Sequence, residues 1–345
     1  MRLYDYLKLR RRIDRKILFN EKWDLKKSVR NKIDFFLTTK NIKSFWFEDY
    51  GLYSFLNIEI KKFAGKNHLI KDTSGITLDT ITQCKLIPWW FANLKAYDKR
   101  LQDNEARLII QGSFADSKTT NYSDIDLVIF YKPFSENVLK IKKEIEIFLL
   151  KIDPLQHHGV FMIDMNTFDY YWQMDLPIEV LKKAKCFSEE SYQLNIKGSL
   201  IENIGSINAV KSVLSIIQQF IDNDYKLIGL WEWKFFISQV LLFPTLLLGS
   251  KGEYIYKRDS FEIAEKMFSN EAWYCIKRAS EIRDSWPSRN EFIEYESLRT
   301  SVSQKPSNDP IKAIDILSIS TANDPQFSDS LKALIRESEE IIYND

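Results

Sequence analysis

Cysteine is scarce: Cys84, Cys186 and Cys275 are the three in 345 residues, far apart and without a repeating spacing. That excludes a disulfide framework and a cysteine-based metal site, and makes a reducing compartment the default expectation. Charge of one sign is lacking as well. Lys and Arg number 49 against 48 Asp and Glu, a formal net charge of +1, which argues against a protein that attracts nucleic acid over its whole surface. Long hydrophobic runs are missing. The longest apolar stretch, residues 240–248, is too short to span a bilayer and contains Pro244. The first residues, Met1-Arg2-Leu3-Tyr4-Asp5-Tyr6, are followed by no apolar segment of the kind a secretory signal needs. The expectation is a cytoplasmic protein away from membranes, with no internal repeat and no low-complexity tract.

What is present is a folded chain: 45% hydrophobic and 14% aromatic residues, at a length that suggests two or three domains. Its most informative stretch lies at 108–130. The apolar run Leu108-Ile109-Ile110 stops at Gly112-Ser113, as a buried strand does on meeting a glycine turn. A polar loop of about ten residues follows, and a second apolar run at 125–130 begins with Asp124 and Asp126 set into it. Asp is depleted in strands, so two at the mouth of one need a reason. Strand side chains alternate, so the two share a face with Cα atoms roughly 7 Å apart. They can converge on a divalent cation, since Mg²⁺ takes oxygen ligands and shares them with substrate phosphates. Gly112 leaves room for a phosphate beside exposed amides, and Ser113 adds a hydroxyl donor.

The order apolar residue, Gly112-Ser113, polar loop, Asp124-Ile125-Asp126 resembles the signature of the DNA polymerase β-type nucleotidyltransferase superfamily. The resemblance covers about a third of the chain, residues 88–187. It implies that Gly112 and Ser113 form the nucleotide-phosphate turn, and that Asp124 and Asp126 are the first two metal-binding carboxylates. It further implies an NTP substrate, ATP first, and Mg²⁺ as cofactor, two ions with Mn²⁺ able to substitute. Many relatives carry Arg-Gly inside the loop where this chain has Asp116-Ser117-Lys118, so Lys118 is the candidate for the missing positive charge. Relatives also supply a third carboxylate from the next strand.

Helices are expected from Pro88, with Pro at its first turn, and from Pro133, with Val138, Ile141, Ile145, Phe148 and Leu149 as the buried stripe. A third strand is expected at 156–163. A helical crossover makes parallel pairs, so the start of that strand faces Asp124 and Asp126, placing His157 or His158 near them. Asp164 falls up to about 20 Å away at the other end. The third ligand stays open among His158, His157 and Asp164, with His158 preferred as ligand or base.

Beyond residue 187 the apolar spacing turns helical, at 207–220 and 230–249. A turn with Lys257 and Arg258 could clamp a triphosphate, and it is loosely similar to the lysine-bearing segment of antibiotic-type nucleotidyltransferases. An irregular connector is expected at 285–310 and a polar helix at 329–343. The N-terminal segment is basic around Arg10, Arg11 and Arg12, expected as a solvated helix face. The fold is therefore expected to be α+β. A small mixed sheet flanked by helices occupies 86–187, a helical bundle 188–345, and a mainly helical extension 1–85. The expected function is Mg²⁺-dependent transfer of an NMP from an NTP to a hydroxyl, with a small-molecule acceptor favoured over RNA or tRNA. The alternative class is a catalytically decayed nucleotide-binding regulatory module.

Overall fold

The computed structural model describes residues 69–71, 75–81, 88–120, 123–132, 135–153, 155–165, 168, 171–173, 176–200, 203–223, 230–285 and 324–343. Short strands β1 (Leu69–Lys71) and β2 (Ile76–Leu78) lead to helix α1 (Pro88–Gln102), strand β3 (Ala106–Gln111) and the single-turn helix α2 (Gly112–Ala115). Strand β4 (Asp126–Tyr131), helix α3 (Glu136–Ile152) and strand β5 (Phe161–Asp164) follow. Strand β6 (Tyr171–Trp172), the turn-long α4 (Ile178–Leu181), and strands β7 (Lys185–Cys186), β8 (Tyr192–Leu194) and β9 (Gly198–Leu200) complete the sheet-forming half. Helices α5 (Asn203–Asp222), α6 (Leu230–Ser250), α7 (Lys257–Glu265), α8 (Asn270–Asp284) and α9 (Pro325–Tyr343) make the other half. The result is an α+β fold with a small mixed sheet and flanking helices. The expected N-terminal helix and the basic segment at 10–12 lie outside the described residues, as does most of the expected connector.

The central sheet has the order β5-β4-β3-β7. β3 pairs antiparallel with β4, from Ala106 opposite Tyr131 to Gln111 opposite Asp126. Crossover helix α3 makes β4 and β5 parallel, with Val128 opposite Phe161 and Tyr131 opposite Asp164. Ser135 caps α3 by accepting the Val138 N–H at 3.2 Å, worth about 1 kcal/mol to a helix. Strand alternation sorts the apolar residues onto two faces. Leu108, Ile110, Leu127, Ile129 and Tyr131 pack with Trp90, Leu94, Ile141 and Ile145 from α1 and α3. Ile109, Val128 and Phe130 pack on the other side with Phe168, Leu181, Cys186 and Leu194. That second face draws on β2 and β8, which pair antiparallel, so residues beyond 187 also complete the sheet's core.

The helical half has its own core, built on Val213, Ile217, Phe236, Val240, Leu247, Trp273, Ile276 and Leu331. Leu155, just after α3, is buried in it and joins the halves. At 21 residues α6 is longer than the apolar stretch at its centre. By length and composition its segment Trp231–Ser250 could cross a membrane, but 67% of that window is buried inside the fold. Pro244 lies inside α6 without ending it. The core on which it packs outweighs the hydrogen bond proline cannot donate.

The third strand is shorter than expected. Residues 156–160 make no ladder, and β5 begins at Phe161. The reason is Gln156, fully buried. Its Oε1 accepts the Ile125 N–H at 3.0 Å and its Nε2 donates to the Ile125 carbonyl at 3.2 Å. One side-chain amide thus satisfies both backbone groups that a neighbouring strand would otherwise take.

Candidate functional site

The site forms where β3 ends and β4 begins. Gly112 has φ +69, and a Cβ added there would lie 2.6 Å from Asp126 Oδ2. Glycine is needed twice over, for the left-handed backbone and for the close approach of the carboxylate. The space kept open by the missing side chain is thus held by Asp126. Ser113, half-buried in α2, accepts the Lys118 N–H on its carbonyl at 2.9 Å. The Lys118 amide also meets Asp116 Oδ1 at 3.1 Å. Lys118 itself is exposed and pairs with no described carboxylate.

Asp124 sits just before β4, and its environment is the main feature that the sequence did not reveal. Lys234 of α6, fully buried, donates to Asp124 Oδ1 at 2.6 Å, to the Leu155 carbonyl at 2.7 Å and to Asp153 Oδ2 at 3.3 Å. The His157 backbone N–H also reaches Asp124 Oδ1, at 3.1 Å. Burial pushes the Asp124 carboxyl up, but the Lys234 ammonium, followed by His158, outweighs it and holds it well below the usual carboxylate range. Asp124 is ionised and tightly held.

Asp126 is two residues away and differently placed. Its carboxylate accepts no hydrogen bond from a described residue. Burial, followed by the neighbouring Asp124 charge, pushes it up to about 6 against the pull of His158, Lys257 and Lys234. Lys257 is half-buried and belongs to the first turn of α7 rather than to a turn ahead of it. Burial and Arg283 lower it to about 8, while Asp126 and Asp124 pull the other way. The sheet half and the helical half therefore supply opposite charges to one place.

The two histidines divide. His157 is buried: its Nε2 lies 3.0 Å from the Trp231 carbonyl, and its ring packs edge-on against Trp231 and Phe235. A carbonyl only accepts, so Nε2 carries the proton. Nδ1 has no hydrogen-bond partner among the described residues and lies 4.0 Å from Asp124 Oδ2. Burial and Lys234 hold His157 well below its ordinary pKa, hence neutral. His158 is 38% exposed, with Nε2 at 3.8 Å from the same Asp124 Oδ2. Asp164, buried opposite Tyr131, lies at the far end of the parallel pair. The geometry thus brings Asp124, Asp126, His157, His158, Gly112 and Lys257 together, and leaves Asp164 and the Lys118 side chain outside.

A second link joins the halves beside the site. Tyr256 Oη donates to Asp116 Oδ2 at 2.9 Å, Arg258 Nη1 lies 3.4 Å from the same oxygen, and Lys183 Nζ stands 3.8 Å from the centre of the Tyr256 ring. Asp116 lies in the loop segment Asp116-Ser117-Lys118. Sequence reasoning missed Lys234, Asp153 and Gln156. Only Lys234 left a trace: a lone cation in the apolar run Trp233-Lys234-Phe235-Phe236.

Among the described residues no group of three or more His, Cys, Asp and Glu is arranged to enclose a metal ion. The arrangement still fits Mg²⁺, which is commonly held by one or two carboxylates and completed by substrate phosphates and water. Among the described residues Asp126 offers oxygens free of hydrogen bonds, near an ionised Asp124 whose Oδ2 lies 3.8 Å from His158, the imidazole whose charge also acts on Asp126. Gln111, opposite Asp126 in register, adds a buried Oε1 with no partner.

Residues 94–183 match the family model described as a nucleotidyltransferase domain. The match runs from within α1 to just past α4 and contains Gly112, Asp124, Asp126, His157 and His158. The chain thus carries a nucleotidyltransferase domain, consistent with the polymerase β-type superfamily. No curated protein and no solved structure matches the chain.

Proposed function

We propose that the chain uses this domain to move an NMP from an NTP, ATP first, to a hydroxyl of a small-molecule acceptor in a Mg²⁺-dependent reaction. The observation that carries the proposal is the placement of Asp124 and Asp126 at the glycine turn, inside the matched domain and under a cationic face of the helical half. A divalent ion held there would neutralise charge on the phosphates and lower the pKa of the attacking hydroxyl.

In this reading Asp126 and Asp124 Oδ2 hold the ion, and Ser113 with the amides of α2 contacts the nucleotide phosphates. Lys257 offsets the charge that develops on the leaving pyrophosphate. The acceptor oxygen bonds to the α-phosphorus, and the bridging P–O bond to the β-phosphate breaks. The hydroxyl proton passes to His158, half-open to solvent and within 3.8 Å of an ionised carboxylate. A small acceptor is favoured because the site is roofed by α6 and α7 and the chain is nearly neutral.

The test is incubation with each α-labelled NTP, Mg²⁺ or Mn²⁺ and a cell extract. Label is expected on a small compound with wild type and on nothing with Asp126→Asn. Label on RNA would replace the acceptor. Tight NTP binding with no label on anything would favour a regulatory module.

A further inference from the structure

Lys234 stands where a carboxylate pair would place a cation. An ammonium has three N–H donors, and all three are spent on Asp124 Oδ1 at 2.6 Å, the Leu155 carbonyl at 2.7 Å and Asp153 Oδ2 at 3.3 Å. The side chain is 1% exposed, so it cannot reach a substrate phosphate. Two carboxylate oxygens and a carbonyl around one point are also the donor set of a hard cation. Asp153 makes the arrangement more than a tether. A fully buried carboxylate is costly to keep without a cation; Asp153 meets the ammonium through Oδ2 at 3.3 Å, and its other oxygen is fixed by the Leu155 N–H at 2.8 Å. Two of the cage's three oxygens come from Asp153 and Leu155, just after α3, and the third from Asp124 itself.

A carboxylate pair that bridges two divalent ions must offer oxygens to both. Asp124 cannot, because Oδ1 is already bound to the ammonium and to the His157 amide. We propose that Lys234 is a resident monovalent counter-ion in the place of one of two divalent ions, so that the chain binds a single divalent ion through Asp126 and Asp124 Oδ2. The inference rests on reading the carboxylates as a metal site. It makes Lys234 a positioning residue: the fixed ammonium neutralises and holds Asp124, while the acidity of the acceptor and the charge of the phosphates are left to the one mobile ion. A purely structural Lys234, tying α6 to the sheet, would affect stability but not the number of ions.

The experiment counts Mn²⁺ bound per full-length chain by the EPR signal of the free ion, with saturating α,β-methylene NTP and a nucleotide-only control. Wild type is expected to bind one ion beyond that control, Asp126→Asn none, and Lys234→Ala two, the second entering the vacated oxygen cage. Two ions on wild type would overturn the inference and leave the metal-site reading intact. No ion on wild type would sink that reading and the inference with it. A Lys234→Ala protein that melts cooperatively and still binds one would also overturn the inference. Should that variant fail to fold, the wild-type count decides alone.

Discussion

The two ends of the β4–β5 pair each carry buried carboxylates, in different company. At one end Asp124 and Asp126 meet Lys234, Lys257 and two histidines, drawn from α6, α7 and the segment ahead of β5. At the other, Asp164 is buried opposite Tyr131, with its neighbour Ile163 in the sheet's second core. In a parallel pair all strand starts lie at one edge, so the topology decides which end can gather groups from distant parts of the chain. The same contrast recurs at close range. Asp124 is stabilised as an anion by a buried cation, whereas Asp126, two residues on, is left short of donors and close to a like charge.

The largest expected effect breaks the metal end outright. Asp126→Asn should abolish transfer, because the amide keeps the shape and loses the charge that holds a divalent ion. Its melting temperature should stay level or rise, since a repulsion is removed. Asp124→Asn should be equally inactive but melt lower, because Lys234 loses the nearer of its two carboxylates and keeps only Asp153; breaking a buried pair costs up to about 3–5 kcal/mol. Equal melting temperatures for the two variants would erase the distinction between them.

Next in size comes the test of the two ends. His158→Ala should lower turnover by about 10²- to 10⁴-fold, the usual range for a positioned acid–base group. Asp164→Ala should keep near-normal kinetics in whatever fraction folds. Steady-state rates at saturating Mg²⁺, with a melt to correct for folded protein, distinguish them. A dead Asp164→Ala beside an active His158→Ala would move the chemistry to the far end.

Much of this arrangement could be read in advance, and the part that could not has a common cause. Strands β3 and β4, the glycine between them, the crossover and its parallel outcome all follow from local patterns: apolar runs, a breaker, an amphipathic stripe. Lys234 does not, because its partner Asp124 is 110 positions away and nothing in α6 itself signals the pairing. The start of β5 was misplaced for a related reason. Alternation along 156–163 looks like a strand, but the buried Gln156 side chain takes the hydrogen bonds of Ile125 and ends the ladder early. Lys257 was legible as a charge near a helix, while its approach to Asp126 depends on how α7 packs.

A smaller effect sharpens the contrast between the two aspartates. Asp126 has a folded pKa of about 6, above the unfolded value of about 3.9. Its contribution to stability is therefore fully present below pH 4 and lost as pH rises through 6. In chelator-treated protein, wild type should lose on the order of 2 kcal/mol more than Asp126→Asn between pH 4 and 7. Asp124 runs the other way: its folded pKa is depressed, so its contribution is present above pH 4 and lost as pH falls below. Urea unfolding from pH 7 down to well below pH 4 reads both slopes, and parallel curves for wild type and Asp126→Asn between pH 4 and 7 would count against the environment described for Asp126.

The smallest expected effect lies at the edge of the site. Tyr256 reaches across from the helical half to Asp116 in the loop after α2, and the next residue is Lys257. Tyr256→Phe removes one hydrogen bond, worth about 1 kcal/mol, and leaves the ring under Lys183 in place. Burial and Asp116 hold the Tyr256 hydroxyl well above its ordinary pKa, so it stays protonated and able to donate throughout the working range. If the link holds Lys257 over the phosphates, the variant should raise KM for the NTP about fivefold, the equivalent of that hydrogen bond, and leave kcat nearly unchanged. The melting temperature should fall by no more than a few degrees. A drop in kcat with KM unchanged would mean that Tyr256 acts on the reacting groups themselves, and would pull the boundary of the site outward to include the loop at Asp116.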